Sequence, residues 1–162
     1  MQGNRAGRSP QRPALITSRT PLPGRGSTLS GMTSGPAIVW LRNDLRLHDN
    51  PALDAAVATG EPVLIVYVRD EVTPGSRPLG RASQWWIHHS LTTLRTSIEA
   101  LGGSLVLRTG SGPDVIRELV AATGASAVFW NRRYGIARDA DALLKESLRG
   151  AGLTCESFAG NL

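Results

Sequence analysis

The stretch Trp40-Leu41-Arg42-Asn43-Asp44-Leu45-Arg46-Leu47-His48-Asp49-Asn50-Pro51-Ala52-Leu53 decides how the rest of the chain is read. It takes a short apolar strand, Ala37 to Leu41, into a polar turn that carries Arg42, Asp44, Arg46, His48 and Asp49, and then into a helix. Asn50 and Pro51 mark the helix start. Asparagine supplies an acceptor for the orphan N–H groups of a first turn, and proline at the first helical position has no N–H to orphan.

Outward from this turn, strands and helices alternate. The first helix runs from Pro51 to about Thr59, and Gly60 and Pro62 break it before Val63 to Val68. That second strand, V-L-I-V-Y-V, has no polar alternation, as expected where a parallel sheet buries both faces. A helix from about Arg81 to Leu101 sets Ile87, Leu91, Leu94, Ile98 and Leu101 on one stripe, and Gly102 and Gly103 end it. Ser104 to Arg108 reads as the third strand, and Pro113 to Ala122 as a helix with Val115, Ile116, Leu119 and Val120 inward, closed by Gly124. Ala127 to Trp130, Ala137 to Arg149 and Leu153 to Phe158 complete the series as strand, helix and strand. The pattern predicts an α/β fold over residues 35–162: a five-stranded parallel, Rossmann-like, doubly wound sheet with helices on both faces. Ligands of such sheets bind beyond the carboxyl ends of the strands, where the turns after Leu41 and Trp130 lie.

Residues 1–34 are a different material. They are rich in Gly, Pro, Ser, Thr and Arg, bury too little apolar surface to offset ordering, and are expected to be disordered. Their prolines oppose an amphipathic transit helix, and Met32 is a candidate start with the upstream part an over-extended frame. Arg5, Arg8, Arg12, Arg19 and Arg25, with no acid among them, account for the whole formal charge of +5. The remaining 13 basic and 13 acidic groups balance, which removes most support for a basic nucleic-acid-binding face. Cys155 is the only cysteine, so no internal disulfide forms. No apolar run approaches the roughly 20 residues that cross a bilayer, and the expectation is a soluble, cytoplasmic monomer without a metal.

Several candidates reduce to structural readings. Gly110-Ser111-Gly112 follows a strand and opens a helix, but Val115 stands where a dinucleotide fingerprint needs its third glycine, so a cap and turn is expected. Lys145 is the only lysine, and no phosphate-binding P-loop exists. His88 and His89 are adjacent on a helix, about 100° apart, and cannot share a metal face. Trp85 and Trp86 beside them are read as packing residues, divided between core and surface. For Arg42, Asp44, Arg46 and Asp49 two readings stand: a polar cluster facing a ligand or a neighbouring domain, or a self-satisfied network that fixes the turn.

The opening stretch closely resembles the motif W-F-R-x-D-L-R-L-x-D-N-x-A-L of the DNA photolyase and cryptochrome family, with Leu41 in place of the usual Phe. Trp130-Asn131-Arg132-Arg133-Tyr134 matches that family's W-N-R-R-Y, and Ala137-Arg138-Asp139 its A-R-D. The likeness covers about Ala37 to Leu162 and implies the amino-terminal α/β domain, which in the family holds a light-harvesting antenna chromophore. It implies that the chain is a truncated copy: the FAD, the damaged-DNA pocket and the electron-transfer tryptophans of light-driven pyrimidine-dimer repair belong to a helical domain downstream. The chain alone is therefore expected to bind no FAD and to be inactive. The antenna-site candidates are Arg42, Asp44, Asn131, Arg132 and Tyr134. Folate-binding members carry Y-E-x-x-E-R-A-R-D here, whereas only Gly135 and Ile136 separate Tyr134 from Ala137, so folate binding is not expected. A cryptochrome-type blue-light receptor fragment and a stand-alone α/β nucleotide-binding or interaction module are the alternatives.

Overall fold

The structure, a computed structural model, describes residues 35–76, 78–133 and 138–160. The expectations for the tail, for Tyr134 and for Ala137 lie outside these residues. Five strands form one parallel sheet: β1 (Ala37–Leu41), β2 (Val63–Arg69), β3 (Leu105–Thr109), β4 (Ala127–Asn131) and β5 (Thr154–Phe158). They lie in the order β3-β2-β1-β4-β5, so the winding reverses between β1 and β4. Four helices connect them in sequence: α1 (Pro51–Ala58), α2 (Arg81–Ala100), α3 (Gly112–Thr123) and α4 (Arg138–Gly150).

Alternation along each strand sorts the core into two layers. On one face Val39, Leu41, Ile65 and Phe129 pack with Ala52 and Ala56 of α1 and with Leu94 and Ile98 of α2. On the other, Ile38, Trp40, Val66, Val128 and Trp130 pack with Val115, Ile116 and Leu119 of α3 and with Leu144 and Leu148 of α4. The central strands β1 and β4 are buried along their whole length, the consequence of helices on both faces. Register places Trp40 beside Trp130, and their rings meet edge to face at 5.9 Å.

The start of α1 is as expected. Asn50 is extended, and its Oδ1 accepts the Leu53 N–H at 3.3 Å while Pro51 opens the helix. Asp49 before it has φ +52°, a left-handed conformation that a short polar side chain tolerates. Helix α2 corrects the expectation for its tryptophans. Trp85 and Trp86 are 56% and 66% exposed, their rings 5.3 Å apart, and Trp85 also lies 4.2 Å from His89. Leu101, the last residue of the expected stripe, is 79% exposed. The stripe is buried only in the second half of α2, at Leu94 and Ile98.

Candidate functional site

The turns after β1 and β4 meet at the carboxyl edge of the sheet, at its topological switch point. One chain of hydrogen bonds ties them together. The Arg42 N–H donates to Asp44 Oδ1 at 2.8 Å, and Asp44 Oδ2 accepts from Asn131 Nδ2 at 2.6 Å. The same Asn131 amide reaches Asn50 Oδ1 at 2.8 Å, and Asn50 Nδ2 donates to the Arg46 carbonyl at 3.0 Å. The polar side chains of Asp44, Asn50 and Asn131 thus lock the β1 turn to the first turn of α1 and the end of β4.

The Arg42 side chain turns away from this brace. Its guanidinium is buried, lies 3.9 Å above the Trp40 ring, and donates through Nη1 to Asp141 of α4. Arg133 grips the same carboxylate with Nε and Nη2 at 3.2 and 3.1 Å, and stands 3.9 Å from Asp70. Burial lowers the Arg42 pKa, and the attraction of Asp141 opposes that shift; a guanidinium stays charged regardless. Asp70, just past β2, is a contrasting case. Burial alone would raise its carboxyl, but the N–H and hydroxyl of Thr73 and the N–H groups of Gly112 and Val72 hold it below its ordinary value. Its Oδ1 accepts from Thr73 N at 2.9 Å and from Val72 N at 3.3 Å.

A cavity of about 220 Å³ opens between these groups, lined by Trp40, Arg42, Tyr67, Asp70, Ser76 and Arg133 among others. Three of its residues present buried polar atoms without a hydrogen-bond partner among the described residues: Nε and Nη2 of Arg42, Oδ2 of Asp70 and Oγ of Ser76. Among the described residues no group of three His, Cys, Asp or Glu side chains is placed to hold a metal ion. No helix among them is long and apolar enough to cross a membrane.

Of the five residues predicted for the site, Arg42, Asp44 and Asn131 come together, but only Arg42 lines this cavity. Arg132 is exposed and donates Nε and Nη2 to the Ser157 carbonyl at 3.2 and 3.1 Å. Sequence reasoning passed over Asp70, Ser76, Arg133 and Asp141. Asp70 had a readable signal, an acid directly after a buried strand and so at the ligand edge of a parallel sheet. Asp141 had none, since its partners lie on other elements.

The profile of the DNA photolyase family matches residues 37–162. The deoxyribodipyrimidine photo-lyase of Agrobacterium fabrum is 49% identical over 134 residues, covering 81% of this chain and 27% of that protein. Cryptochrome-1 of Sinapis alba is 42% identical over 134 residues, covering 80% and 26%. The crystal structure of a bacterial class III photolyase from Agrobacterium tumefaciens superposes with a TM-score of 0.73 at 48% identity, covering 83% of this chain and 28% of that one. The chain thus spans about a quarter of the length of the curated relatives it matches. With the family's turn motifs found at the switch point and its fold matched over nearly the whole described region, the chain belongs to the DNA photolyase family.

Proposed function

We propose that this chain serves as the amino-terminal α/β region of a photolyase-type, FAD-dependent flavoprotein of the cytoplasm that acts on pyrimidine dimers in damaged DNA. Its own contribution is the cavity beside Trp40, which receives a light-harvesting chromophore. The observation that carries this reading is the set of buried polar atoms on Arg42, Asp70 and Ser76, residues around one hollow, that make no hydrogen bond among the described residues. Leaving a buried polar group unpaired costs about 1–3 kcal/mol, so a ligand that pairs several at once gains from each. Arg42, Asp70 and Ser76 make the contacts in this reading, and Asp44 and Asn131 brace the turn from which Arg42 extends. Repair is preferred to blue-light signalling because the photo-lyase from Agrobacterium fabrum, at 49% identity, is nearer than the Sinapis alba cryptochrome at 42%.

The 162-residue polypeptide by itself is expected to take up no stoichiometric FAD and to repair no dimers in light. Flavin absorbance co-eluting at one equivalent would contradict this. The site is tested by fluorescence titration with flavin mononucleotide and a 5-deazaflavin, on the parent chain and on Ser76→Ala and Asp70→Asn variants. Saturable binding by the parent, about tenfold weaker in each variant, is expected from the loss of one hydrogen bond. Equal affinity in all three, or no saturable binding of either chromophore, would remove the cavity from the function.

A further inference from the structure

On the other side of Arg133 a second hollow of about 220 Å³ lies between the ends of β4 and β5 and the first turns of α4. Its lining holds four cations, Arg132, Arg133, Arg138 and Lys145, against one acid, Asp141. Asp141 is already engaged by Arg42 and Arg133, so little of its charge is left for the others. Arg138 makes no hydrogen bond or ion pair among the described residues. Lys145 uses one of its three donors, on Ser157 Oγ at 3.1 Å. Arg132 spends Nε and Nη2 on the Ser157 carbonyl, leaving Nη1.

The arrangement is built by the helix. Arg138 and Lys145 stand at i and i+7, with Asp141 and Ala142 between them, along one stripe of α4. Leu144 and Leu148 bury the side of the helix that faces the sheet. Residues 35–162 carry equal numbers of acidic and basic groups, so this cluster is a local excess and not part of a generally basic face. Guanidinium forks match the oxygens of a tetrahedral anion, and an ammonium supplies a mobile point charge.

We propose that this hollow is a phosphate-binding site, held by Arg138, Lys145, Arg132 and Arg133 and separate from the cavity beside Trp40. Free phosphate and the phosphate of a nucleotide share the required chemistry. The test uses the full chain at constant ionic strength, titrated with inorganic phosphate, pyrophosphate, AMP and adenosine, followed by calorimetry and by amide shifts. Saturable binding of the phosphate-bearing probes, with shifts centred on residues 138–145 and on Ser157, is expected. AMP binding tighter than inorganic phosphate would assign the site to nucleotides; equal binding would assign it to the phosphate group alone. Arg138→Gln and Lys145→Gln should each weaken binding about tenfold, the loss of one charge-assisted contact. Arg108→Gln, on edge strand β3 across the sheet, should change nothing, and unchanged thermal midpoints confirm that the variants are folded. No saturation, adenosine binding as well as AMP, or equal affinity in Arg138→Gln, Lys145→Gln and the parent would overturn the proposal; the last is the result expected if the arginines of residues 1–34 do the binding.

Discussion

Asp141 is the side chain on which the carboxyl edge depends most. It is buried, and the guanidinium groups of Arg42 and Arg133 both converge on it. Asp141→Ala would strand the buried Arg42 charge, which a guanidinium cannot relieve by losing its proton. A stability loss of about 3–5 kcal/mol is expected, read from urea unfolding; a loss under about 1 kcal/mol would mean that Arg42 finds another partner or reaches water. Asp70 makes a pH prediction of definite sign. Its carboxyl is held below its ordinary value in the fold, so its stabilisation is present above the unfolded pKa of about 3.9 and lost as pH falls through the lower folded value. Asp70→Asn should therefore flatten the acid limb of the stability curve relative to the parent, and parallel limbs would contradict it. Burial likewise pushes the Cys155 thiol up to about 11. It should resist thiol reagents near pH 8 until the chain is unfolded.

Among the elements, α3 is positioned by a glycine and α2 is left half uncovered. A Cβ on Gly112 would come within 2.5 Å of the Trp40 ring and 3.0 Å of Asp70 Oδ2. Gly112→Ala is expected to cost about 1–3 kcal/mol through overpacking, with a shift in tryptophan emission as Trp40 is displaced. A variant as stable as the parent would show that α3 can slide without loss. At α2, exposed side chains carry little folding energy. Trp85→Gln and Trp86→Gln should each change stability by no more than about 0.5 kcal/mol, whereas a core tryptophan lost to a smaller side chain costs about 3–5 kcal/mol. Melting curves of the two variants separate these values.

For the molecule as a whole, the choice of antenna turns on a stretch where the sequence departs from the pattern Y-E-x-x-E-R-A-R-D that it otherwise resembles. The short connection between Tyr134 and Ala137 lacks both glutamates of the resembled pattern. A folate ring whose N–H donors are buried without that acceptor loses about 1–3 kcal/mol, roughly tenfold to a hundredfold in affinity. We therefore propose that methenyltetrahydrofolate binds weakly, and that inserting the E-x-x-E segment after Tyr134 strengthens it by about that factor. Tight binding by the parent, or no gain on insertion, would show that the segment does not decide.

The elements, their order and the inward residues of α3 were legible in the chain because each rests on short-range chemistry: Asn50 and Pro51 start α1, Gly124 ends α3 with φ +64°, and the run from Val63 to Val68 admits no solvated face. The parallel sheet followed from alternation alone. The site was only half legible. Arg42, Asp44 and Asn131 could be picked out as polar residues at strand ends, but whether they face a ligand or one another is not a local property. Strand order sets β1 beside β4 and lets Asn131 spend its amide on Asp44 and Asn50. The same packing brings Asp141 under Arg42, ninety-nine residues away, and leaves Asp70 and Ser76 around a hollow. Local propensity acts over a turn or two of chain, whereas the partner of a buried charge is set by which elements meet at the end of the sheet, and only the tertiary structure decides that.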